Sequence, residues 1–251
     1  MPPTPTRRLD LLSLPLLLAL WSALALILQD RLLPPPWTVA AEIADLARHG
    51  PLLADFARTL ARVAVAFVAA MALGSLLGAL LARVPVLDAL FAPWVVIGLN
   101  VPALVVAILC YIWIGLTETA LVTAVVVNKT PLVATTMREG VRALSPDFRE
   151  LADVLRMSRA RRLRLVELPQ LMPYVLTAAR TGLSLIWKIV LVFEVLGSDG
   201  GVGFRIGIFF GFFDMAAILA YACTFIAVVL GAEYGILRPL ERRVLGWRSR
   251  D

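Results

Sequence analysis

Residues 145–169 read Ser-Pro-Asp-Phe-Arg-Glu-Leu-Ala-Asp-Val-Leu-Arg-Met-Ser-Arg-Ala-Arg-Arg-Leu-Arg-Leu-Val-Glu-Leu-Pro, and they belong to the only long polar segment, 138–167, of a chain otherwise built from apolar runs. Ser145 suits an N-cap and Pro146 a first helical residue. Phe148, Leu151, Ala152 and Leu155 then recur at helical spacing. The pattern predicts one amphipathic helix outside the membrane. A second short helix near Ala160–Val166 presents Leu163 and Val166 on one face, and Pro169 and Pro173 end it and begin the next apolar run. Two small helices with an apolar stripe and an arginine flank suit a groove on a partner protein. They also suit an interface of anionic lipid headgroups, and periodicity alone leaves both open.

Outward from this segment the chain is strongly apolar. Of its 251 residues 60% are hydrophobic and the mean hydropathy is +0.86, against about 45–50% apolar residues in soluble domains. Since a crossing takes about 20 apolar residues, the runs predict an all-α polytopic membrane protein with about six spans. These are Leu9–Leu28, Leu60–Leu81, Leu90–Ile114, Ala120–Met137, Tyr174–Leu196 and Met215–Leu237. The third is interrupted by Pro93 and Pro102. The first is too long for a cleaved leader and ends in Gln29-Asp30-Arg31, so it reads as a retained anchor. Between the first two spans, Pro34-Pro35-Pro36 and mixed charges predict a loop with a short surface helix. Gly74 and Gly78, four apart in the second span, either allow a close helix approach or reflect the general frequency of glycine in membranes. A glycine-rich stretch, Gly197 to Gly211, precedes the sixth span, and its 197–203 part is expected to form a tight periplasmic turn.

The net charge of +6 comes almost wholly from arginines at the ends of apolar runs. That placement reads as topology rather than as a nucleic-acid surface. With the N-terminus inside, Arg7, Arg8, Arg83, the Arg138–Arg164 cluster and the tail are all cytoplasmic, leaving Arg31, Arg48, Arg58 and Arg205 outside. Both ends are therefore expected in the cytoplasm. Cys110 and Cys223 lie in apolar runs as small hydrophobes, and no metal-ligand spacing occurs. The only histidine is His49, and neither H-E-x-x-H, G-x-S-x-G nor G-x-x-x-x-G-K-[ST] is present. An enzyme is not expected, no cofactor bound by this chain is expected, and nucleotide hydrolysis would have to come from another subunit.

Charges inside the apolar runs mark a passage or a helix contact. Lys129, flanked by Asn128 and Thr130, sits midway along the fourth span. Lys188 and Glu194 lie in the fifth, and Asn100 precedes Val101-Pro102 in the third. Asn100, Asn128, Lys129, Lys188 and Glu194 form the candidate translocation set, with a fixed cation offsetting the lost hydration of a small anion. Lys129 pairing with Glu194, or snorkelling, is the competing expectation. Arg180 is placed in the cytoplasmic third and Glu233 at the cytoplasmic end of the sixth span.

At this point the chain resembles the inner-membrane permeases of bacterial ABC importers. Their cytoplasmic motif runs E-A-A, three residues, G, nine residues, I-x-L-P. Here the frame gives Glu150-Leu151-Ala152, Arg156 at the glycine position, and Val166-Glu167-Leu168-Pro169 without a gap. Leu151 replaces an alanine, and Arg156 replaces the glycine that lets the helix pair bend, with Ser158 nearby to supply a turn. Downstream, Pro173-Tyr174, Ala179-Arg180-x-Gly182-Leu183, Trp187, Phe193-Glu194-Val195-Leu196-Gly197 and Gly201-Val202-Gly203 resemble the taurine, sulfonate and nitrate branch. The likeness covers about residues 34–248.

The resemblance implies a type I ABC importer permease fold in the bacterial inner membrane, in which residues 1–251 form one domain. Residues 1–57 would hold the first span and a periplasmic loop, 58–248 the permease core and 143–169 the coupling segment. It implies ATP-binding cassette ATPase subunits, a periplasmic binding protein and a second permease copy as partners. Glu150, Leu151, Ala152, Leu155, Arg156, Leu163, Val166, Leu168 and Pro169 would contact the ATPase. The solute would be a small anion such as a sulfonate, taurine or nitrate, or alternatively a thiamine-precursor pyrimidine. An ATP-independent channel or secondary transporter is the remaining alternative, but it leaves the helix pair without a purpose.

Overall fold

The computed structural model describes residues 5–245, with side chains described from 13 to 243 except at 240. The side chains of Arg7 and Arg8, and residues Arg248 and Arg250, lie outside the described residues. Among the described residues every regular element is helical. The order is α1 (Pro5–Leu28), α2 (Pro36–Arg48), α3 (Leu52–Arg83), α4 (Pro85–Asn100), α5 (Ala103–Ile114), α6 (Glu118–Arg142), α7 (Pro146–Val154), α8 (Arg159–Arg162), α9 (Leu168–Gly197), α10 (Val202–Gly211), α11 (Met215–Ala232) and α12 (Arg238–Leu245).

Among the described residues four continuous helical runs are long and apolar enough to cross a bilayer, namely Leu52–Arg83, Glu118–Arg142, Arg159–Gly197 and Met215–Arg243. The α4–α5 pair adds a broken one, bent by 98°, and Ser13–Leu28 is a shorter apolar helix. The third span expected at Leu90–Ile114 is thus two helices rather than one interrupted rod. The cause is local: Pro102 drives Val101 into extended backbone, at φ −69° and ψ 124°.

The expected bounds of other spans also change. α3 begins at Leu52, eight residues before the predicted start, and so carries Asp55, Arg58 and Thr59 on a helix. The second hairpin helix does not stop at Pro169. α8 continues through a π turn at Leu163–Glu167 into α9, with the Leu168 amide donating to the Leu163 carbonyl. A second π turn at Glu233–Leu237 precedes Pro239 in the same way, with the Arg238 amide donating to Glu233. A proline inside a helix lacks an N–H and collides with the carbonyl four residues back. Widening the turn just before each proline removes that collision, so the helix continues.

α3, α6 and α9 form the centre of the bundle, with α5 closing one side. Ala66, Ala107, Ala120, Ala124, Val125, Ile186, Val190 and Phe193 pack there with almost no exposed surface. Small residues set how closely the helices approach. A methyl group added at Gly78 would run into the Ala134 carbonyl and the Met137 side chain. The Gly74/Gly78 pair therefore serves the close α3–α6 contact. Trp94, Ile112 and Trp113 point outward from the bundle, as expected for side chains solvated by lipid. α2 is the expected short amphipathic helix, and it seats Val39 fully against the bundle.

Candidate functional site

Three groups of residues stand out along the bundle: a basic hairpin at one end, a lysine-lined cavity at mid-depth and a buried ionic network at the other end.

The hairpin is α7, a turn, and α8. Ser145 occupies the N-cap position of α7 and Pro146 its first turn, but the Ser145 hydroxyl caps nothing. Instead the Ser145 amide donates to Gln170 Oε1 at 3.1 Å, joining the start of α7 to the root of α9. At the far end the Arg156 amide donates to the Asp153 carbonyl and the Met157 amide to the Ala152 carbonyl. This pair of bonds closes a helix through a left-handed residue, commonly glycine. Here that residue is Arg156, at φ +47°. Ser158 then caps α8, its hydroxyl accepting from the Arg161 amide at 3.4 Å.

The bend thus forms without glycine, at a conformational cost of about 1–2 kcal/mol for a residue with a Cβ. Arg156→Gly is expected to remove about 1 kcal/mol of that strain. Hydrogen exchange at the Met157 amide, which closes the turn, would then slow about fivefold. Faster exchange would contradict this reading of the bend.

Phe148, Leu151 and Leu155 are all more than half exposed and lie along one side of α7, while Ala152 is its one buried residue. Glu150, Leu163, Leu168 and Pro169 are also exposed, and Val166 is half-buried. Glu167 within the motif is buried, pairing with Arg83 of α3 at 2.6 Å and Arg162 at 3.4 Å. The hairpin is therefore anchored through Glu167, Gln170 and Ala152, and it presents an apolar stripe that stays exposed among the described residues.

At mid-depth, Lys129 is the twelfth residue of the 25-residue α6 and only 8% exposed. It lines a cavity of about 280 Å³ with Leu99, Val101, Ala103, Asn128, Leu132, Leu185 and Ile189. Three of these residues flank the α4–α5 break. Irregular backbone is tolerated at membrane depth only inside protein or along a water-filled cavity. Asn128 answers part of this need, its Nδ2 reaching the Val101 carbonyl at 3.5 Å. Among the described residues nothing hydrogen-bonds or ion-pairs with Lys129. Asn100 is exposed and its amide returns to the Val96 carbonyl at 2.8 Å. Lys188 is exposed on α9, close in sequence to the cavity-lining Leu185 and Ile189.

Glu194 is not brought to this cavity, and it does not pair with Lys129. It is wholly buried and held by Arg62 Nη1 at 2.7 Å, by the Thr59 hydroxyl at 2.8 Å and by the Gly203 amide at 2.8 Å. The expectation that Glu194 faces a passage is corrected accordingly: a carboxylate this deep needs a cation and donors, and α3 supplies both. Arg62 also donates to Gly200 O at 2.6 Å and through Nε to Glu118 at 2.6 Å. Beside it, Asp55 accepts from Tyr221 at 2.8 Å and Arg205 at 2.9 Å.

These bonds fix the segment between α9 and α10. Gly201 there takes φ +104°, and any Cβ would strike Glu194 and Arg62. The turn expected over 197–203 is confined to 198–201, with Gly197 ending α9 and Val202 and Gly203 beginning α10. Sequence reading missed Asp55 and Thr59 because it began the span at Leu60, and it passed over Arg62, which lies two residues inside that span. Their spacing of four and then three was the available signal, since it places all three on one helical face. At the basic end Arg180 pairs with Glu233 at 2.8 Å and Glu241 at 3.3 Å, tying α9 to the last helices.

Comparison with known proteins places these features in context. The family model described as binding-protein-dependent transport system inner membrane component matches residues 70–244. The taurine transport system permease protein of Escherichia coli is 28% identical over 246 residues, covering 94% of this chain and 88% of that protein. A putative aliphatic sulfonates transport permease protein of Bacillus subtilis is 26% identical, covering 93% of this chain and 85% of its own length. The nitrate import permease protein of Synechococcus elongatus is 26% identical, over 77% and 73%. Among solved structures, a chain from the crystal structure of an amino acid ABC transporter with histidines superposes with a TM-score of 0.63. It is 22% identical and covers 80% of this chain and 98% of its own, so the likeness is one of fold.

Proposed function

Because the chain belongs to the family of binding-protein-dependent transport system inner membrane components, we propose that it forms the passage by which a small anion, such as a sulfonate, taurine or nitrate, enters the cell. In this reading it lies in the bacterial inner membrane with the basic hairpin and both termini in the cytoplasm. A periplasmic binding protein delivers the solute at the Glu194 end. A separate ATPase docks on the exposed stripe of α7, and a second copy of this chain completes the passage. The chain itself carries no hydrolytic chemistry.

The observation that supports the anion reading most strongly is Lys129. It is a nearly buried cation at mid-helix, without a carboxylate, in a cavity bordered by a broken helix. Broken helices at the membrane midplane mark solute sites in transporters. The names of the relatives, taurine, sulfonate and nitrate permeases, agree with the sign of the charge. Lys188 supplies a second cation from the neighbouring face of α9.

Reconstitution tests the whole reading. Proteoliposomes holding the chain, its ATPase and its binding protein are expected to accumulate the anion only with ATP. Transport by the chain alone at the same rate would overturn it. Lys129→Gln is expected to slow anion uptake by about tenfold or more, since a hydrogen bond to a charged group contributes about 1.5–3 kcal/mol. Lys129→Arg retains the charge and is expected to lose less. Equal uptake by the Gln variant would remove Lys129 from the passage.

A further inference from the structure

The hairpin has a second side. Arg149 and Asp153, four apart on α7, lie on the face away from Phe148, Leu151 and Leu155. There they close a cleft of about 470 Å³ with Arg83 at the end of α3, Arg159 and Arg162 of α8, Leu163 and Glu167. Four guanidiniums face two carboxylates. Glu167 is taken by Arg83 and Arg162, and Asp153 by Arg162 at 3.3 Å. Among the described residues, Arg149 and Arg159 have neither an ion-pair nor a hydrogen-bond partner for their side chains.

We propose that this cleft binds a phosphate-bearing anion, with the headgroup of an anionic phospholipid as its source. Two unpaired guanidiniums beside two paired ones leave an excess of positive charge in a recess rather than on an open face. A phosphate is the ligand that such planar forks hold best, through paired N–H donors. The location selects the lipid form. The cleft opens where α3 ends and where α8 runs into α9, both membrane-length helical runs, and basic pockets at helix ends near the cytoplasmic surface take acidic headgroups. Occupancy would brace α7 from behind while its apolar stripe stays free. The proposal requires no ATPase on that stripe, so its failure and the failure of the importer reading are separable.

The test uses the full chain in nanodiscs of phosphatidylcholine carrying a minor fraction of phosphatidylglycerol, with retained lipid measured by native mass spectrometry. Arg149→Gln with Arg159→Gln is expected to weaken phosphatidylglycerol retention about thirtyfold, at about 1 kcal/mol per arginine near the surface. Arg161→Gln, an exposed arginine outside the cleft, should change it little. Inorganic phosphate displacing the lipid from the wild type, and not from the double variant, would support the same phosphate contacts. Phosphate binding with no lipid preference would overturn the lipid source. Equal phosphatidylglycerol retention by wild type and double variant would overturn the site itself.

Discussion

Arg62→Met is expected to cost the folded protein about 3–5 kcal/mol, the usual loss when one partner of a buried ion pair is removed. The Arg62 side chain is 4% exposed and that of Glu194 is 0% exposed. Without Arg62, Glu194 keeps Thr59 and Gly203 as donors but has no countercharge, and the Gly200 carbonyl keeps only the Ser198 hydroxyl as donor. The segment holding Gly201 would loosen with it, because Gly201 sits directly against both ends of the pair. Thermal unfolding of the purified chain in detergent should fall by on the order of 10 °C. Arg62→Lys keeps the charge but not the fork that serves Glu194, Glu118 and Gly200 at once, so it should recover only part of the loss. Removing Glu194 as well, as Arg62→Met with Glu194→Gln, should cost less than the two changes summed. A melting temperature unchanged in Arg62→Met would show that the network does not hold this end of the bundle.

The second large effect is expected at the opposite end. Glu150→Arg combined with Leu155→Asp changes two exposed side chains of α7. Neither makes a contact on which the fold of this chain depends, so stability should stay within about 0.5 kcal/mol. Docking should not survive. Burying Leu155 in a partner groove contributes about 1.5–3 kcal/mol, and placing charges against that groove adds a penalty of several kcal/mol. Together these predict ATPase binding weaker by about a thousandfold, read as loss of the ATPase on co-purification and loss of ATP-driven uptake. Retention of the ATPase by the double variant would place the docking surface elsewhere.

The sequence made some of this plain and concealed the rest for identifiable reasons. The hairpin was legible because Phe148, Leu151, Ala152 and Leu155 repeat at helical spacing, and because Glu150 and Pro169 keep their separation. Lys129 was legible because a charge in an apolar run stands out. Its lack of a carboxylate was not, since pairing is decided by which helices meet. Glu194 shows the converse. Its depth in the chain suggested a passage, yet its fate was set by Arg62, 132 residues away in sequence. Pro102 announced a break in the third span, but a proline fixes its own φ and restricts its neighbour, and neither determines an angle of 98°. Pro169 read as a helix end because sequence spacing does not show whether a wider turn precedes it. Arg156 was a departure from the expected glycine, and only the backbone shows that it takes the glycine's left-handed conformation.

The claim that energy enters through α7 has a direct measurement. Cys110 and Cys223 are replaced by alanine, and Leu151→Cys then provides the single thiol. With a membrane-impermeant maleimide, labelling is expected in inside-out vesicles and not in right-side-out ones, and the bound ATPase is expected to block it. Labelling from the outside, or labelling at an undiminished rate with the ATPase present, would contradict the account.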